Sequence, residues 1–539
     1  MDIWLRATTT EEILSKLASI PAYVTILRLA KTDLNNKTAA DLVQIFAAIP
    51  ANITSLYLGA NNLYQISVAD LVQTFAAIPA NVTSLDLDLN QLNKKTVPEL
   101  VQIFAAIPAN VTSLGLGAND LPLKGLSKMV EIFAAIPANV TSLDLGREFF
   151  RLPTDQLQQM AVAIPASITN LHLGTSDFLF RDINRLVQFL TFIRSNVTSL
   201  HFGKTKLSTG QLVKVFAAIP FNVTSLDLGE NSLWDKSSDS LAKVFGAIPS
   251  NVTSLDLNEN NDRRFITVAE KVRVLAAIPH SITSLTLGRD DLEFYTAAQE
   301  IQIVSAIPPN VTNLDLNKHR RNNLRITDIL LKLPGSISIV TVNGKSATPV
   351  EHLLDIVFPN AIRSDFFNSP YLDPIQPNFT IDNALLIEII NYLQRHHSPM
   401  GCLVTAMLLD GKIATTCTET QAQDTESMTK RALAAISFYC KAACNSTLKP
   451  HIEYLLWHER VTTDNPAVQQ ALSQYRLSPE RLAAGLGFFR GAAELEQHDL
   501  LELADHTVAE MMSISSLAEL INDLSDSSLN NAACHNHQK

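Results

Sequence analysis

The chain has 539 residues, of which 46% are hydrophobic and 18% charged, and its formal net charge is −11. The apolar fraction argues against a disordered chain, and the length exceeds what one ordinary hydrophobic core accommodates. The acidic balance argues against nucleic acid as a partner, because phosphate binding needs a basic surface. It favours a partner protein that is itself basic.

Residues 1–22 precede the main pattern of the sequence. Their apolar positions recur at helical spacing, which predicts an N-terminal helical cap on the array that follows. The first residues lack the basic and apolar segments of a secretory signal. No stretch reaches the roughly 18 apolar residues that a bilayer crossing needs, so we expect no membrane span.

Residues 23–345 contain twelve copies of one phrase, which is clearest in residues 81–87, Asn-Val-Thr-Ser-Leu-Asp-Leu. Successive copies begin 26 to 30 residues apart. A period of this length predicts a solenoid, in which each unit buries its apolar face against its neighbours. Eight copies match the N-glycosylation pattern Asn-x-Thr. Without a secretory signal, we interpret these as part of the repeat.

Each repeat has two halves of different period. Residues 82–92 follow the leucine-rich-repeat pattern Val-x-x-Leu-x-Leu-x-x-Asn-x-Leu. This predicts a short strand with inward leucines, followed by a turn in which the Asn side chain bonds backbone groups. The second half has helical spacing and ends at a proline, as at Pro108. Capping-box spacings start four of these helices, at Thr38, Ser67, Thr96 and Thr267.

The two halves have different packing widths. Parallel strands lie about 4.8 Å apart and packed helices about 8–10 Å apart, so the stack must curve. The predicted fold class is therefore α/β: a curved leucine-rich-repeat solenoid with parallel strands on the concave face and helices on the convex face.

The repeat period disappears after Lys345. Residues 346–380, which include a stretch rich in Pro, Asn and Asp, are predicted to be a linker or irregular. Helical patterns across residues 381–539 predict a mostly α-helical C-terminal domain. All five cysteines lie in that domain, and their odd number argues against a disulfide framework and for a reducing compartment. They are Cys402, Cys417, Cys440, Cys444 and Cys534.

The outward positions of the predicted strands form the candidate binding site. Five aspartates in register there, with Asp88 beside them, would place a negative stripe on the concave face that steers basic partners. The alternative is that Asp is merely the default residue of a duplicated repeat. Residues that break the default are better candidates for specificity. The candidate binding residues are Arg28, Tyr57, Asp86, Asp88, Asp144, His172, His201, Asp227, Asp256 and Asp315.

Several residue groups could in principle carry chemistry, and each has a simpler interpretation. His172 and His201 could sense pH or hold a metal. Cys440 and Cys444, with His451 and His458 nearby, lack the second cysteine pair typical of zinc sites, which favours thiols in a helix core. His396 and His397 with Cys402 could pair a base with a thiol, although spacing alone does not establish geometry. We therefore predict no catalytic residues, no metal and no cofactor.

The amino-acid sequence of the repeats resembles that of one particular protein family. Residues 136–146, Ile-Pro-Ala-Asn-Val-Thr-Ser-Leu-Asp-Leu-Gly, and the helix 99–106, Glu-Leu-Val-Gln-Ile-Phe-Ala-Ala, are similar to the leucine-rich-repeat effectors of Legionella, which the Dot/Icm type IV secretion system delivers into host cells. The resemblance covers about residues 20–345. It implies recognition of a host protein, export from the bacterial cytoplasm into the host cytoplasm, and a translocation signal in the C-terminal tail. It implies no catalytic residues.

An enzymatic alternative stays open for the C-terminal domain. Another class of bacterial leucine-rich-repeat effectors carries a helical ubiquitin-ligase domain with a catalytic Cys beside acidic residues. Residues 417–419, Cys-Thr-Glu, resemble that arrangement faintly, and the present repeats are about 29 residues long rather than about 20.

Overall fold

The structure is a computed structural model. It describes residues 2–357 together with isolated positions between 385 and 442. The gaps within 2–357 are 6–8, 147, 149–151, 174–182, 204, 206, 261–266, 289–291, 293–294, 317–322 and 343. The chain forms two compact units, residues 1–319 and 320–539.

The first unit contains a parallel sheet of twelve short strands, each paired with the next in chain order. The strands are β1 (Asp2–Trp4), β2 (Ile26–Arg28), β3 (Ser55–Tyr57), β4 (Ser84–Asp86), β5 (Ser113–Gly115), β6 (Ser142–Asp144), β7 (Asn170–His172), β8 (Ser199–His201), β9 (Ser225–Asp227), β10 (Ser254–Asp256), β11 (Ser284–Thr286) and β12 (Asn313–Asp315).

A helix follows each of the first eleven strands. These helices are α1 (Thr10–Ala18), α2 (Ala39–Ala47), α3 (Val68–Ala76), α4 (Val97–Ala105), α5 (Leu126–Ala134), α6 (Thr154–Ala163), α7 (Ile183–Phe192), α8 (Thr209–Phe216), α9 (Ser238–Gly246), α10 (Val268–Leu275) and α11 (Ala297–Ser305). This regular alternation of parallel strand and helix confirms the predicted α/β leucine-rich-repeat solenoid.

The core lies between the strands and the helices. Both inward apolar residues of the repeat strands β2 to β12 are buried, as at Leu85 and Leu87, because alternate residues of a strand point to the same side. From the other side, seven helices each bury a phenylalanine, for example Phe104 in α4. Replacing one such ring with alanine typically costs about 3–5 kcal/mol.

The predicted helix starts are present. Thr38, Thr96 and Thr267 each form a full capping box with the acidic residue three positions later, and the Ser67 side chain accepts from the Asp70 N–H. These bonds satisfy backbone donors that the first turn leaves without a helical partner.

A ladder of asparagine side chains runs through the turns that follow the strands. Asn119 Oδ1 accepts from the Asn90 N–H at 2.9 Å, and its Nδ2 donates to the carbonyls of Leu87 and Leu116 at 3.0 Å each. The predicted role of this Asn is therefore confirmed. The asparagines of this turn ladder are Asn61, Asn90, Asn119, Asn231 and Asn260.

The Asn-x-Thr phrases form a second set of bonds, at the other end of the strands. The side-chain amide of Asn81 donates to the carbonyl of Ile53, and that of Asn110 donates to the carbonyl of Val82. The Thr83 N–H donates to the Thr54 carbonyl at 2.9 Å. The nitrogen that a glycan would occupy is thus engaged within the fold, in agreement with the interpretation of these phrases as part of the repeat.

The N-terminal segment contains more than the predicted helix. Strand β1 extends the sheet by one strand, and Leu5 after it is buried in the place of a second repeat leucine. Helix α1 then covers the first repeat with Ile13 and Leu17 buried. Residues 1–22 therefore contain a partial repeat as well as a helix.

The second unit begins with α12 (Asn323–Lys332), followed by an antiparallel pair, β13 (Ile339–Val342) and β14 (Lys345–Ala347), and α13 (Pro349–Val357). Helix α13 lies in the stretch 346–380 that was expected to be irregular, and it buries Leu353 and Leu354. The predicted C-terminal helical domain, residues 381–539, lies almost entirely outside the described residues.

Candidate functional site

The outward strand positions align across the whole first unit. The residue at the third position of each strand pairs in register with its equivalent on the next strand, and we call this row the lane. In order, the lane is Trp4, Arg28, Tyr57, Asp86, Gly115, Asp144, His172, His201, Asp227, Asp256, Thr286 and Asp315. Nine of the ten candidate binding residues therefore lie on one continuous row, and Asp88 lies two residues beyond it.

The first part of the lane is an aromatic cluster around a cation. The Arg28 guanidinium lies 4.0 Å from the ring centre of Tyr57 and 5.2 Å from that of Trp4. Its Nε also donates to an Asp2 carboxylate oxygen at 3.2 Å. Burial raises the pKa of Tyr57. Trp, Tyr and Arg are the residue types that most often dominate protein interfaces, and Trp4 is 55% exposed.

Trp4 was missed by the sequence analysis. Ile3 and Leu5 repeat the spacing of the two strand leucines, with Trp4 at the outward position between them. That spacing is the signal that identifies a strand with Trp4 on its outward side.

The second part of the lane is acidic. Asp86 Oδ1 accepts from the Asp88 N–H at 2.8 Å, Asp88 Oδ1 from the Gly117 N–H at 2.6 Å, and Asp144 Oδ1 from the Gly146 N–H at 2.8 Å. Burial raises the pKa of Asp144 to about 7. Burial, with the neighbouring charges of Asp86 and Asp144, raises the pKa of Asp88 to about 9. This part of the face therefore disfavours its own negative charge.

A fourth carboxyl group lies behind the acidic part. Glu148 takes the place of an asparagine in the turn ladder, where its Oε1 accepts from the Asn119 N–H at 3.0 Å. The side chain is only 4% exposed, and Oε2 has no hydrogen-bond partner among the described residues. Burial raises the pKa of Glu148.

Two stacked imidazoles form the third part of the lane. The rings of His172 and His201 lie 3.8 Å apart and nearly parallel. His201 Nδ1 donates to Asp227 Oδ2 at 2.9 Å, whereas His172 Nε2 shares a hydrogen bond of 3.1 Å with Ser142 Oγ. Burial, helped by the neighbouring His201, lowers the pKa of His172 to about 4.

The pKa of Asp227 is shifted in the opposite direction from those of Asp88 and Asp144. Burial acts to raise its pKa, but the hydrogen bonds from His201 and from the Gly229 N–H outweigh that effect, and the pKa of Asp227 is lowered. Further along, Asp256 Oδ1 accepts from the Asn258 N–H at 2.8 Å. Thr286 and Asp315 complete the lane as half-buried residues.

The arrangement suits recognition of a charged surface. Among the residues that the structure describes, no three His, Cys, Asp or Glu side chains are placed to hold a metal ion. Within the described part of the chain, no helix is long and apolar enough to cross a membrane.

Most of the candidate chemical groups of the predicted C-terminal domain lie outside the described residues. Cys417, Cys440, Cys444, His451, His458 and His397 lie outside the described residues. Cys402 is half-buried, and the His396 ring packs 4.4 Å from that of Tyr392.

The fold and the lane define a leucine-rich-repeat protein with a polar strand face. No protein-family model matches the chain, and no curated protein matches it. Among solved structures it is similar to the leucine-rich repeat-containing protein LegL7 from Legionella pneumophila, with 30% identity and a TM-score of 0.40. The match covers 66% of this chain and 97% of LegL7. The chain belongs to the leucine-rich-repeat protein family.

Proposed function

We propose that this protein is an interaction scaffold that binds a partner protein through the strand face of its first unit. The observation that carries the proposal is the lane itself, a continuous row of outward positions across twelve strands, all of which except Gly115 carry a polar or aromatic side chain. Alternate-residue geometry keeps the leucines inside, so the outward residues vary without disturbing the core. A surface of this kind is free to specialise for recognition.

The charge of the lane favours a partner with a basic surface. Asp86, Asp88 and Asp144 are half-buried near one another, and two of their pKa values are raised to about 9 and about 7. A partner's Lys or Arg would offset this repulsion and fix the orientation of binding. Such complementarity also raises the rate of encounter at low salt.

We further propose that the protein is a bacterial effector, exported by type IV secretion and acting on a host protein in the host cytoplasm. The support is the sequence of its repeats and its 30% sequence identity to a Legionella leucine-rich-repeat protein. Export, the host partner and the role of the C-terminal tail are parts of this proposal.

Affinity purification from host-cell lysate, followed by binding assays with the recombinant partner, tests the scaffold role and the host partner. Charge reversal in the lane should abolish binding while the circular dichroism spectrum stays unchanged. A control variant reverses three exposed acids on helices α5, α6 and α9, and it should bind normally. The lane variant carries Asp144→Lys, Asp227→Lys and Asp256→Lys; the control carries Glu131→Lys, Asp155→Lys and Asp239→Lys. Equal binding by both variants would refute the lane as the interface.

A further inference from the structure

The helix layer and the strand layer of the array begin in different ways. On the helix side, α1 covers the first repeat and buries Ile13 and Leu17. On the strand side, β1 is the first strand of the sheet, and β2 is its only partner among the described strands. Proteins commonly protect such an edge with a proline or a bulge, and β1 has neither. The cap therefore closes the helix layer more completely than the strand layer.

The backbone groups on the outer side of β1 belong to Asp2 and Trp4. The Leu5 N–H donates to the Arg28 carbonyl at 3.0 Å, so the backbone of Leu5, and by alternation that of Ile3, faces β2. The N–H and C=O groups of Asp2 and Trp4 therefore face away from β2. No described residue bonds any of these four groups. A strand added at this edge would form up to four hydrogen bonds with them.

The hydrophobic core is also open at this edge. The middle residue of every strand from β2 to β12 is a buried leucine, as at Leu27 and Leu56. The equivalent residue of β1 is Ile3, which is only half-buried. Leu27 has a strand on each side, whereas Ile3 has no outer neighbour among the described strands. An apolar side chain on an added strand would complete the burial of Ile3, which is favourable in proportion to the apolar area covered.

The lane ends at the same edge with an exposed indole. Arg28 lies between the rings of Trp4 and Tyr57 and donates to the Asp2 carboxylate. Both Trp4 and Asp2 are exposed, in contrast to Tyr57, which is half-buried between two strands. From Tyr57 outward the lane therefore alternates aromatic, cation and aromatic. The next position in that order belongs to an added strand.

We propose that β1 accepts an added strand from a partner protein, and that this strand carries an arginine between two apolar residues. The arginine lies beside Trp4 and Asp2 on the lane face, because opposite side chains of paired strands are about 5 Å apart. The apolar residues on either side of it point toward Ile3 and Leu5, because successive side chains alternate. The site goes beyond the proposed function, since it needs only the end of the sheet and not the acidic part of the lane.

The side chains at this edge favour an arginine strand over a second copy of this chain. A second β1 would bring its own Asp2 and Trp4 to the lane face. These residues supply no cation, and they place another carboxylate beside the first. Arginine also suits the position better than lysine, because its planar guanidinium stacks on an aromatic ring while it donates to a carboxylate. Arg28 already makes both contacts on the inner side of Trp4.

The test measures binding of a dye-labelled peptide, Ser-Leu-Arg-Leu-Ser-amide, to the full chain by fluorescence anisotropy. Two matched peptides each change one property. Citrulline in place of arginine removes the charge and nearly keeps the shape. Methylation of the arginine backbone nitrogen removes an N–H that faces β1 and keeps the side chain. We expect each change to weaken binding about tenfold or more.

The place of binding is checked by NMR and by variants. In the full chain labelled with ¹⁵N-tryptophan, the probe should shift the backbone amide signal of Trp4 and leave that of the buried Trp234 unchanged. Trp4→Ala should weaken binding about tenfold or more, because it removes the ring on which the arginine stacks. The control is Phe221→Ala, which removes another exposed aromatic ring, in the repeat of β9, and should bind as the unmodified chain does. The peptide comparisons do not depend on how well the Trp4 variant folds.

Equal binding of the probe and its N-methylated form would overturn strand addition, and equal binding of the citrulline peptide would overturn the choice of arginine. A dimer of the full chain that Trp4→Ala dissociates, without peptide binding, would assign the edge to a second copy instead. Peptide binding at β1 without any host partner would refute the proposed function and leave the edge site in place. A host partner that is lost with charge reversal in the lane but binds Trp4→Ala normally would leave the scaffold role intact and refute strand addition by that partner.

Discussion

The turn ladder and the lane are both rows of side chains with one member per repeat, yet they differ in how much they vary. The ladder retains asparagine in five described repeats, because each amide bonds backbone groups that are buried in the turn. The lane holds Trp, Arg, Tyr, Asp, Gly, His and Thr, because the backbone bonds that its aspartates accept are local to their own repeats and are not needed in every strand.

This difference distinguishes residues that stabilise the repeat array from residues that only form its surface. A ladder position that changes must still bond the same backbone groups, as Thr32 does when its hydroxyl donates to the Leu29 carbonyl at 2.6 Å. A lane position that changes alters the surface and, at the aspartates, one local hydrogen bond from a backbone N–H group. The larger losses of stability should therefore follow ladder substitutions, and loss of binding should follow lane substitutions.

The largest effect on stability is expected from Asn119→Ala. The substitution removes the acceptor of the Asn90 N–H and the donors to the Leu87 and Leu116 carbonyls, all of them buried. Each buried group left without a partner costs about 1–3 kcal/mol, so we expect a loss of about 2–4 kcal/mol. Urea denaturation followed by circular dichroism measures it.

The control for that substitution is Thr286→Ala in the lane, which should change the free energy of unfolding by less than about 1 kcal/mol. Similar losses for both variants would mean that the lane is as structural as the ladder. Because repeat arrays can unfold in stages, the comparison uses the midpoints of the transitions as well as the extrapolated energies.

Much of this contrast could be predicted from the sequence. The period located the ladder asparagines and placed the lane residues in register, because strand alternation and a fixed repeat length determine both. The contact between His172 and His201 followed from adjacent strands. The hydrogen bond from the Gly117 N–H to Asp88 did not follow, since it depends on a side-chain rotamer that the period does not specify.

The sequence analysis also did not predict that a lysine is buried in the array. Lys271 is 1% exposed, and its ammonium lies 3.1 Å from the ring centre of Trp234, at a helix position where Leu100 stands in α4. A lysine in a leucine position was visible in the sequence. The contacts of Lys271 are made with side chains of neighbouring repeats. They cannot be predicted from the sequence of its own repeat alone.

On the strand face, Asp88→Asn beside the lane and Asp227→Asn within it should change stability in opposite directions. The folded-state pKa of Asp88, about 9, lies above its ordinary value of 3.8, so the unmodified protein loses stability as pH rises between those values. Asparagine does not titrate and retains the acceptor for the Gly117 N–H. After allowance for partial exposure, we expect Asp88→Asn to gain about 1 kcal/mol at pH 8 and almost nothing at pH 3.5.

The substitution at Asp227 should change stability in the opposite direction, because the pKa of Asp227 is lowered below 3.8. Its carboxylate contributes stability above that value, and the contribution disappears as pH falls through the folded-state pKa. Asp227→Asn should therefore cost up to about 1 kcal/mol at pH 7, and this cost should diminish as pH falls below 3.8. Urea midpoints across this pH range decide the matter, and changes of the same sign for the two variants would contradict the assignment.

The smallest effect expected here, below about 1 kcal/mol at pH 8, is from Glu148→Gln, where ladder and acidic lane meet. The glutamine retains the acceptor for the Asn119 N–H and places a donor where Oε2 has no partner among the described residues. Burial raises the folded-state pKa of Glu148 above its ordinary value of 4.5. The unmodified protein therefore loses stability as pH rises from 4.5 through the folded-state pKa, and the variant does not. Its advantage should grow from pH 4 to pH 8 in urea denaturation, with Glu131→Gln on α5 as the matched control. An advantage that does not change with pH would show that the gain comes from the new donor alone and that burial does not raise the pKa of Glu148.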